Sequence, residues 1–496
     1  MIPMTLAKIA EIVGGELHDV PNPEVQVHGS VEFDSRKVRS GGLFIALAGA
    51  RVDGHDFAEK AIADGAVAVL AARPVGVPAV VVKPTGKPSG NAEVFTHDED
   101  GSAAAVLQAL AALAQAVSTR LVKEGNLNIV GITGSAGKTS TKDFIATVLE
   151  QQGPTVAPPG SFNNEIGHPY TVLRCENSTR NLVSELSARG IGHIAHLAKI
   201  APPRIGVVLN VGTAHLGEFG SRENIAQAKG ELVEALPSAA EGGVAVLNAD
   251  DPLVAGMAPR TSAGVLRYSA TTPPAPGADI YATAIRLDDI ARASFTVHAP
   301  DSEPVAVKLR VFGEHQVSNA LAAVAVGLAS GLALPEITAA LQRHTNASAH
   351  RMDVNTRPDG VTVINDAYNA NPDSMRAGIA ALAYTTSARP EARSFAVLGE
   401  MGELGEDSVS AHRELGRVLA KYHVQNLIAV GSTPACRAMA TVAAEQGINT
   451  EIVSDAGHAV DLLRTQLSRD DVVLVKASNS QGLWRVAEEL LATGPA

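Results

Sequence analysis

The stretch NIVGITGSAGKTSTKDFIATVLEQ, residues 128–151, reads in direct succession as an apolar strand, a glycine-rich turn and a helix. Glycines in such a turn let consecutive backbone N–H groups face an anion, and the helix that follows adds its positive end. Lys138 has the reach for β- and γ-phosphates, and the Thr139 hydroxyl suits a Mg²⁺ ion. Ile132 stands where the usual phosphate loop carries its first glycine, with Gly131 and Gly134 close on either side. A tight strand–helix turn with an incidental Gly-Lys-Thr is the competing reading. The strand before and the helix after favour a nucleotide site built from Thr133, Gly134, Ser135, Gly137, Lys138, Thr139 and Ser140.

Outward from this turn, short apolar runs recur at LFIAL (43–47), AVAVL (66–70), IGVVLN (205–210), VAVLN (244–248), VTVIND (361–366), SFAVLG (394–399), LIAVG (427–431) and VVLVK (472–476). Helix-like stretches lie between many of them, at 103–117, 139–151, 223–236, 316–330 and 409–421. Continuously apolar strands alternating with helices predict an α/β chain with mainly parallel sheets covered on both faces. At ~150 residues per domain, the 496 residues predict about three domains. Pro, Gly and charge mark a linker over 83–101, and near 344–352 a helical stretch ends before a new strand pattern. The Pro-rich segment 271–279 is placed inside the second domain, because strands are expected to follow it. The predicted domains are therefore 1–98, 99–346 and 347–496.

Composition narrows the partners. With 46% apolar and 19% charged residues, the chain has a globular balance that excludes wholesale disorder. A net charge of −12, with one Trp, six Tyr and ten Phe, argues against nucleic acid, which needs a positive surface or stacking platforms. The two cysteines, Cys175 and Cys436, make no disulfide framework or thiolate zinc cluster and fit a reducing compartment. The N-terminus lacks the order of a signal peptide, and the apolar run 320–334 is interrupted by Ser330 and suits a buried helix better than a membrane span. A cytoplasmic protein without membrane insertion is expected.

In an open parallel sheet, ligands bind beyond the carboxyl ends of the strands. The residues at or just past those ends are Thr133, Glu185, Asn210 with His215, Asn248 with Asp250, Asp366, Glu400 and Lys476. Taken singly, Glu185 reads as a solvated loop acid and His215 as a loop or core histidine. Gathered at a phosphate loop, hard-oxygen and imidazole ligands suit a divalent metal beside ATP. A second candidate, Gly190-Ile-Gly192-His-Ile-Ala195, fits a dinucleotide fingerprint, but no acid-ended strand follows about 20 residues later, so it is read as a chance match. The residues alone predict an ATP- and Mg²⁺-dependent enzyme with a multidomain cleft.

Longer motifs resemble those of the Mur ligases, cytoplasmic ATP-dependent amide-forming enzymes of peptidoglycan synthesis. Phe33-Asp34-Ser35-Arg36, GGLFIALAG and Asp53-Gly54-His55-Asp56-Phe57 are similar to the family's UDP-sugar-binding domain. Ser161-Phe162-Asn163-Asn164-Glu165-Ile166-Gly167, the segment from His215 to Lys229, and Gly313-Glu-His315-Gln-Val-Ser-Asn319-Ala320 resemble its central ATPase domain. Asn365-Asp366-Ala367-Tyr368-Asn369-Ala370-Asn371-Pro372 and Leu398-Gly-Glu-Met401-Gly-Glu-Leu404-Gly resemble the members that add D-alanyl-D-alanine. The Asp-Asn-Pro-Arg motif of the diaminopimelate-adding members does not occur.

The resemblance implies an N-terminal UDP-sugar-binding α/β domain, a central P-loop ATPase domain and a C-terminal Rossmann-like domain. It implies that the carboxylate of a UDP-N-acetylmuramoyl-tripeptide attacks the γ-phosphate of ATP, and that the amine of D-alanyl-D-alanine then displaces phosphate from the acyl phosphate. By the same resemblance, Lys138 neutralises phosphoryl oxygens, Thr139 and Glu185 hold a first Mg²⁺, and His215 holds a second. Lys229 matches a lysine that the family carbamylates with CO₂, although by itself it reads as an exposed helix lysine. Asn319 matches a contact near adenine, Asp366 and Asn369 match contacts to ribose and phosphate, and Arg351 matches a cation reaching the γ-phosphate. Ser35 and Arg36 match UDP-sugar contacts, and Asn163 and Asn164 are assigned to the muramoyl part. A monomer is expected. The family's usual ending has a K-G-S-R-like stretch, where this chain has Lys476-Ala477-Ser478-Asn479. The competing functions are a related ligase adding another amino acid or dipeptide, a non-catalytic P-loop scaffold, and an ATP-driven switch.

Overall fold

A computed structural model describes residues 1–49, 52–84, 86, 98–125, 127–212, 216–345, 350–389, 391–402 and 404–492, with residues 216 and 217 described by their backbone. The apolar runs become strands because each can be covered on both faces. Examples are Ala66–Ala71, Asn128–Thr133, Ile205–Val208, Val244–Asn248, Ser394–Leu398 and Val472–Lys476. They assemble into three α/β sheets of five, nine and six strands, with a two-stranded pair of Met4–Thr5 and Gln26–Val27 at the N-terminus.

The nine-stranded sheet carries the phosphate loop. Asn128–Thr133 lies between Asn181–Glu185 and Ile205–Val208, parallel to both. After Asn181–Glu185 the chain crosses to the other side of Asn128–Thr133, which opens a crevice at the carboxyl ends of these strands. The parallel part extends through Val244–Asn248 and Gly264–Ser269 to Ile280–Leu287. Two antiparallel strands, Arg292–His298 and Val305–Phe312, finish that edge. In Arg292–His298 buried and half-buried residues alternate, the pattern of a strand with one covered face. The Pro-rich 271–279 connects two strands of this one sheet.

The C-terminal sheet is parallel from Thr362–Asn365 to Asn449–Val453, with Asp353–Thr356 added antiparallel at one edge. The N-terminal sheet is likewise parallel except for Glu16–His18. Helix Ser102–Gly125 continues past the stretch expected for it. Its buried face, including Leu110, Leu113 and Val117, joins Leu6, Ile9, Leu43 and Leu70 of the N-terminal part to Leu182, Leu197 and Leu232 of the central sheet in one core. By length and composition this helix is the one described element able to cross a membrane, and 56% of its most apolar window is buried inside the fold. Much of the expected 83–101 linker, and residues 346–349 of the second seam, lie outside the described residues.

His168, in helix Gly167–Val172, is buried in the same region, with Nε2 3.1 Å from the Leu197 carbonyl. That contact makes Nε2–H the donor and leaves Nδ1 unprotonated, and Nδ1 has no partner among the described residues. Burial pushes the ring's pKa down to about 4. Below the ordinary histidine value the unfolded chain binds a proton that the folded chain refuses. The stability held above about pH 6.5 therefore falls by up to about 1.4 kcal/mol per pH unit as the pH drops toward 4. Urea unfolding at pH 7.5 and pH 5 should show a smaller loss for His168→Gln than for the unaltered chain; equal losses would contradict this.

Candidate functional site

A cleft of about 960 Å³ lies between the central and C-terminal sheets and is lined from both. On the central side, Asn128–Thr133 runs into the loop 134–137, and Lys138–Leu149 forms the helix behind it. Gly137 caps this helix at φ +83°, and a Cβ there would stand 2.7 Å from Asn319 Oδ1, so the position requires glycine on two counts. Asn319 Oδ1 accepts from the Thr141 hydroxyl at 3.1 Å, while its amide donates to Gln316 Oε1 at 2.9 Å. In this structure Asn319 thus braces the phosphate-loop helix and also lines the cleft. Asn210, at the end of the next strand, clamps the loop by accepting from Ala136 N–H at 2.9 Å and donating to the Ala136 carbonyl at 3.1 Å. Lys138 Nζ reaches back across the loop to the Gly134 carbonyl at 2.7 Å, and Ser135 and Ser140 line the cleft beside it.

Glu185 ends its strand fully buried. Its Oε2 accepts from Asn163 Nδ2 at 3.4 Å, and its Oε1 has no hydrogen-bond partner among the described residues. The buried Thr133 hydroxyl is likewise without a partner among them. A dry carboxylate oxygen left unsatisfied costs several kcal/mol unless a cation or donor meets it. Together with the nearly buried Thr139 hydroxyl and the phosphate loop, this hard-oxygen set fits a Mg²⁺ ion. Lys229 is buried as well, contrary to the exposed-lysine reading. Burial first, and the Lys138 cation second, hold its pKa well below the usual lysine value. Both effects disfavour the charged form of this amine.

The other wall comes from the C-terminal sheet. Asp366 receives a 2.6 Å ion pair from the buried Lys476 and a hydrogen bond from Met352 N–H at 3.1 Å. Lys476 also donates to the Asn369 carbonyl at 2.8 Å, so it fixes the turn that presents Asp366, Tyr368 and Asn369 to the cleft. Arg351 lies over the Tyr368 ring at 4.2 Å and donates to Ser161 Oγ, on the central side, at 2.7 Å. Ser478, Asn479 and Ser480 line the cleft where the expected ending differed from the family's.

Several candidates sit differently from expectation. The Asn163 amide is engaged by Glu185 and Ser187, and Asn164 Oδ1 accepts from Gly167 N–H at 2.9 Å, while both residues line the cleft. Ser35 and Arg36 lie off this cleft in the N-terminal part, with Ser35 buried and Arg36 exposed and paired with Asp34. The N-terminal part meets the central one nearby, where the Tyr170 hydroxyl donates to Glu32 and its ring contacts Phe33 and Phe162. Asn248 and Asp250 do not line the cleft. Asp250 instead folds back to accept from Ser269, Ala270 and Thr271, and Asn248 ties two strand ends together. Glu400 is also away from the cleft lining. His215 lies outside the described residues. At Gly190–Ala195 the helix N-terminus is occupied by Glu231, whose carboxylate accepts from Gly192 and Ala195 N–H at 2.5 and 3.0 Å, so no phosphate is needed there. Sequence reasoning assigned no role to Ser161 and Tyr368, although both lie within quoted motifs.

Comparison with known proteins bears on these residues. The Mur ligase family catalytic domain matches residues 27–118, the Mur ligase middle domain 132–327, and the Mur ligase glutamate ligase domain 350–479. The chain is 54% identical over 512 positions to the UDP-N-acetylmuramoyl-tripeptide–D-alanyl-D-alanine ligase of Mycobacterium tuberculosis, covering 99% of this chain and 98% of that one. The crystal structure of MurF from Acinetobacter baumannii superposes with a TM-score of 0.81 at 29% identity, covering 99% of both chains. MurF from Thermotoga maritima in complex with ADP superposes with a TM-score of 0.73 at 30% identity, covering 93% of this chain and 97% of that one.

Proposed function

The chain belongs to the Mur ligase family, and on that premise we propose that it joins D-alanyl-D-alanine to UDP-N-acetylmuramoyl-tripeptide at the expense of ATP, giving the pentapeptide precursor of peptidoglycan, ADP and phosphate. The observation that carries the reading is the end-to-end likeness to relatives bearing that name, over a cleft whose phosphate loop and unsatisfied acid suit the chemistry.

The loop at 134–137 and Lys138 hold the triphosphate, with the Lys138 ammonium serving the γ-phosphoryl oxygens. Thr139 and Glu185 would hold Mg²⁺, which would supply the charge neutralisation that lets a carboxylate approach a triphosphate. The acceptor carboxylate attacks the γ-phosphorus and ADP leaves. The dipeptide amine then adds to the acyl carbon, its surplus N–H proton passes to solvent, and phosphate departs with one of the former carboxylate oxygens. Arg351, Asp366 and Asn369 close over the nucleotide from the C-terminal side and keep water from the acyl phosphate. Asn319 is assigned to the nucleotide, and Asn163, Asn164, Ser35 and Arg36 are assigned to the UDP-sugar acceptor.

Lys229 would carry a carbamate: CO₂ would add to the unprotonated Nζ, an N–C bond forming as a proton passes to water, and the carbamate oxygens, with His215, would hold a second metal. The low pKa of Lys229 supports this, because a protonated amine cannot attack CO₂. We place the enzyme in the cytoplasm, where ATP and UDP-linked precursors are found, acting as a monomer.

Product mass tests the reading. Incubation with Mg-ATP, UDP-N-acetylmuramoyl-tripeptide and D-alanyl-D-alanine should give the acceptor plus the dipeptide less one water. A product with a single amino acid in place of the dipeptide would return the chain to another branch of the family, and ADP release without acceptor would favour a switch.

A further inference from the structure

Ser161 stands where three groups from two domains converge. Its Oγ lies 3.1 Å from Thr139 Oγ1, on the phosphate-loop helix. The same Oγ accepts from Arg351 Nη2 at 2.7 Å, and Ser161 N–H approaches the Tyr368 hydroxyl at 3.4 Å. Arg351 and Tyr368 stack on one another, so the C-terminal domain grips this serine through both its side chain and its backbone. The loop bearing Ser161 is itself anchored to the phosphate-loop helix, because Lys142 Nζ, buried in that helix, donates to the Pro158 carbonyl at 2.9 Å.

Hydroxyl arithmetic gives this junction a direction. A threonine hydroxyl has one proton and two lone pairs, and a lone pair can face a metal only if the proton is given elsewhere. Ser161 Oγ is the hydroxyl in reach of Thr139, and Arg351 leaves it a second lone pair to accept that proton. We propose that Ser161 is a positioning residue that couples domain closure to the metal site: Arg351 from the C-terminal domain orients Ser161, and Ser161 orients the Thr139 hydroxyl toward Mg²⁺. The inference rests on reading Thr139 as a metal ligand and goes beyond it by making metal affinity depend on a residue of the opposite domain.

The test is calorimetry of a non-hydrolysable ATP analogue on the full chain, in EDTA and across Mg²⁺ concentrations, with the Mg²⁺-dependent gain in affinity as the readout. Ser161→Ala should lower that gain about tenfold, as expected for one charge-assisted hydrogen-bond relay, and leave binding in EDTA unchanged. Ser161→Thr, which keeps the hydroxyl, should restore the gain. Arg351→Ala should also lower it, but should lower it no further in the Ser161→Ala background. An undiminished gain in Ser161→Ala would overturn the inference alone. So would equal losses with and without Mg²⁺, or additive losses in the double variant. Absence of any Mg²⁺-dependent gain in the unaltered chain would instead remove the metal reading on which the proposal stands.

Discussion

Lys138→Ala is expected to reduce turnover by at least about 10³-fold, more than the loss typical of removing a single neutral donor from a charge-stabilising site. The expectation follows from geometry. Lys138 opens the helix behind the phosphate loop, and its Nζ bridges to the Gly134 carbonyl across the space that the loop encloses. When a triphosphate enters, the ammonium has a stronger partner than a neutral carbonyl, and it strengthens further as charge shifts toward the γ-phosphoryl oxygens. Removing it therefore takes away stabilisation that grows along the reaction coordinate, and the loss belongs mainly in kcat and less in KM for ATP. Steady-state kinetics beside a thermal melt separates this from misfolding. A variant that melts normally and retains kcat within tenfold of the unaltered enzyme would remove the assignment.

Lys229→Ala is expected to be inactive by about 10²- to 10³-fold, within the range lost when one electrostatic stabiliser is removed. It should differ from Lys138→Ala in one respect. The truncated side chain leaves a buried space where a short carboxylic acid can stand in for the carbamate, so added acetate or propionate should restore part of the activity. Lys138→Ala should gain nothing from the same acids, because its loss is that of a cation. The buried, low-pKa amine of Lys229 is the reason to expect the asymmetry. Full activity of Lys229→Ala without added acid would remove the carbamate, and rescue of both variants would mean that the acids act elsewhere.

What could be read in the sequence was local. The phosphate loop is contiguous, and a strand before it with a helix after it is enough to infer its conformation. Glu185 was reached by the strand-end rule, because a buried parallel strand delivers its last side chain to one place. The same rule misassigned Asn248 and Asp250. Whether a strand-end acid faces the cleft depends on the following loop, and here residues 269–271 return to take both Asp250 oxygens. Lys476 stands at a strand end as expected, yet its charge is spent on Asp366, a pairing set by two strands far apart in sequence. Ser161 and Arg351 meet across 190 residues, and no local pattern reports such a contact. Burial of Lys229 was invisible for the same reason: its helix, Arg222–Glu234, reads as polar, and only packing against the sheet covers the lysine.

The measurement that tests the account most directly is isotopic. UDP-N-acetylmuramoyl-tripeptide carrying ¹⁸O in both oxygens of its terminal carboxylate is turned over with Mg-ATP and D-alanyl-D-alanine, and the released phosphate is weighed. Attack of the carboxylate on the γ-phosphorus, followed by displacement at the acyl carbon, predicts one ¹⁸O in each phosphate and one retained in the new amide, with phosphate release that requires the dipeptide. Unlabelled phosphate, formed at the same rate without the dipeptide, would mean that water attacks ATP in this cleft and would contradict the ligase assignment.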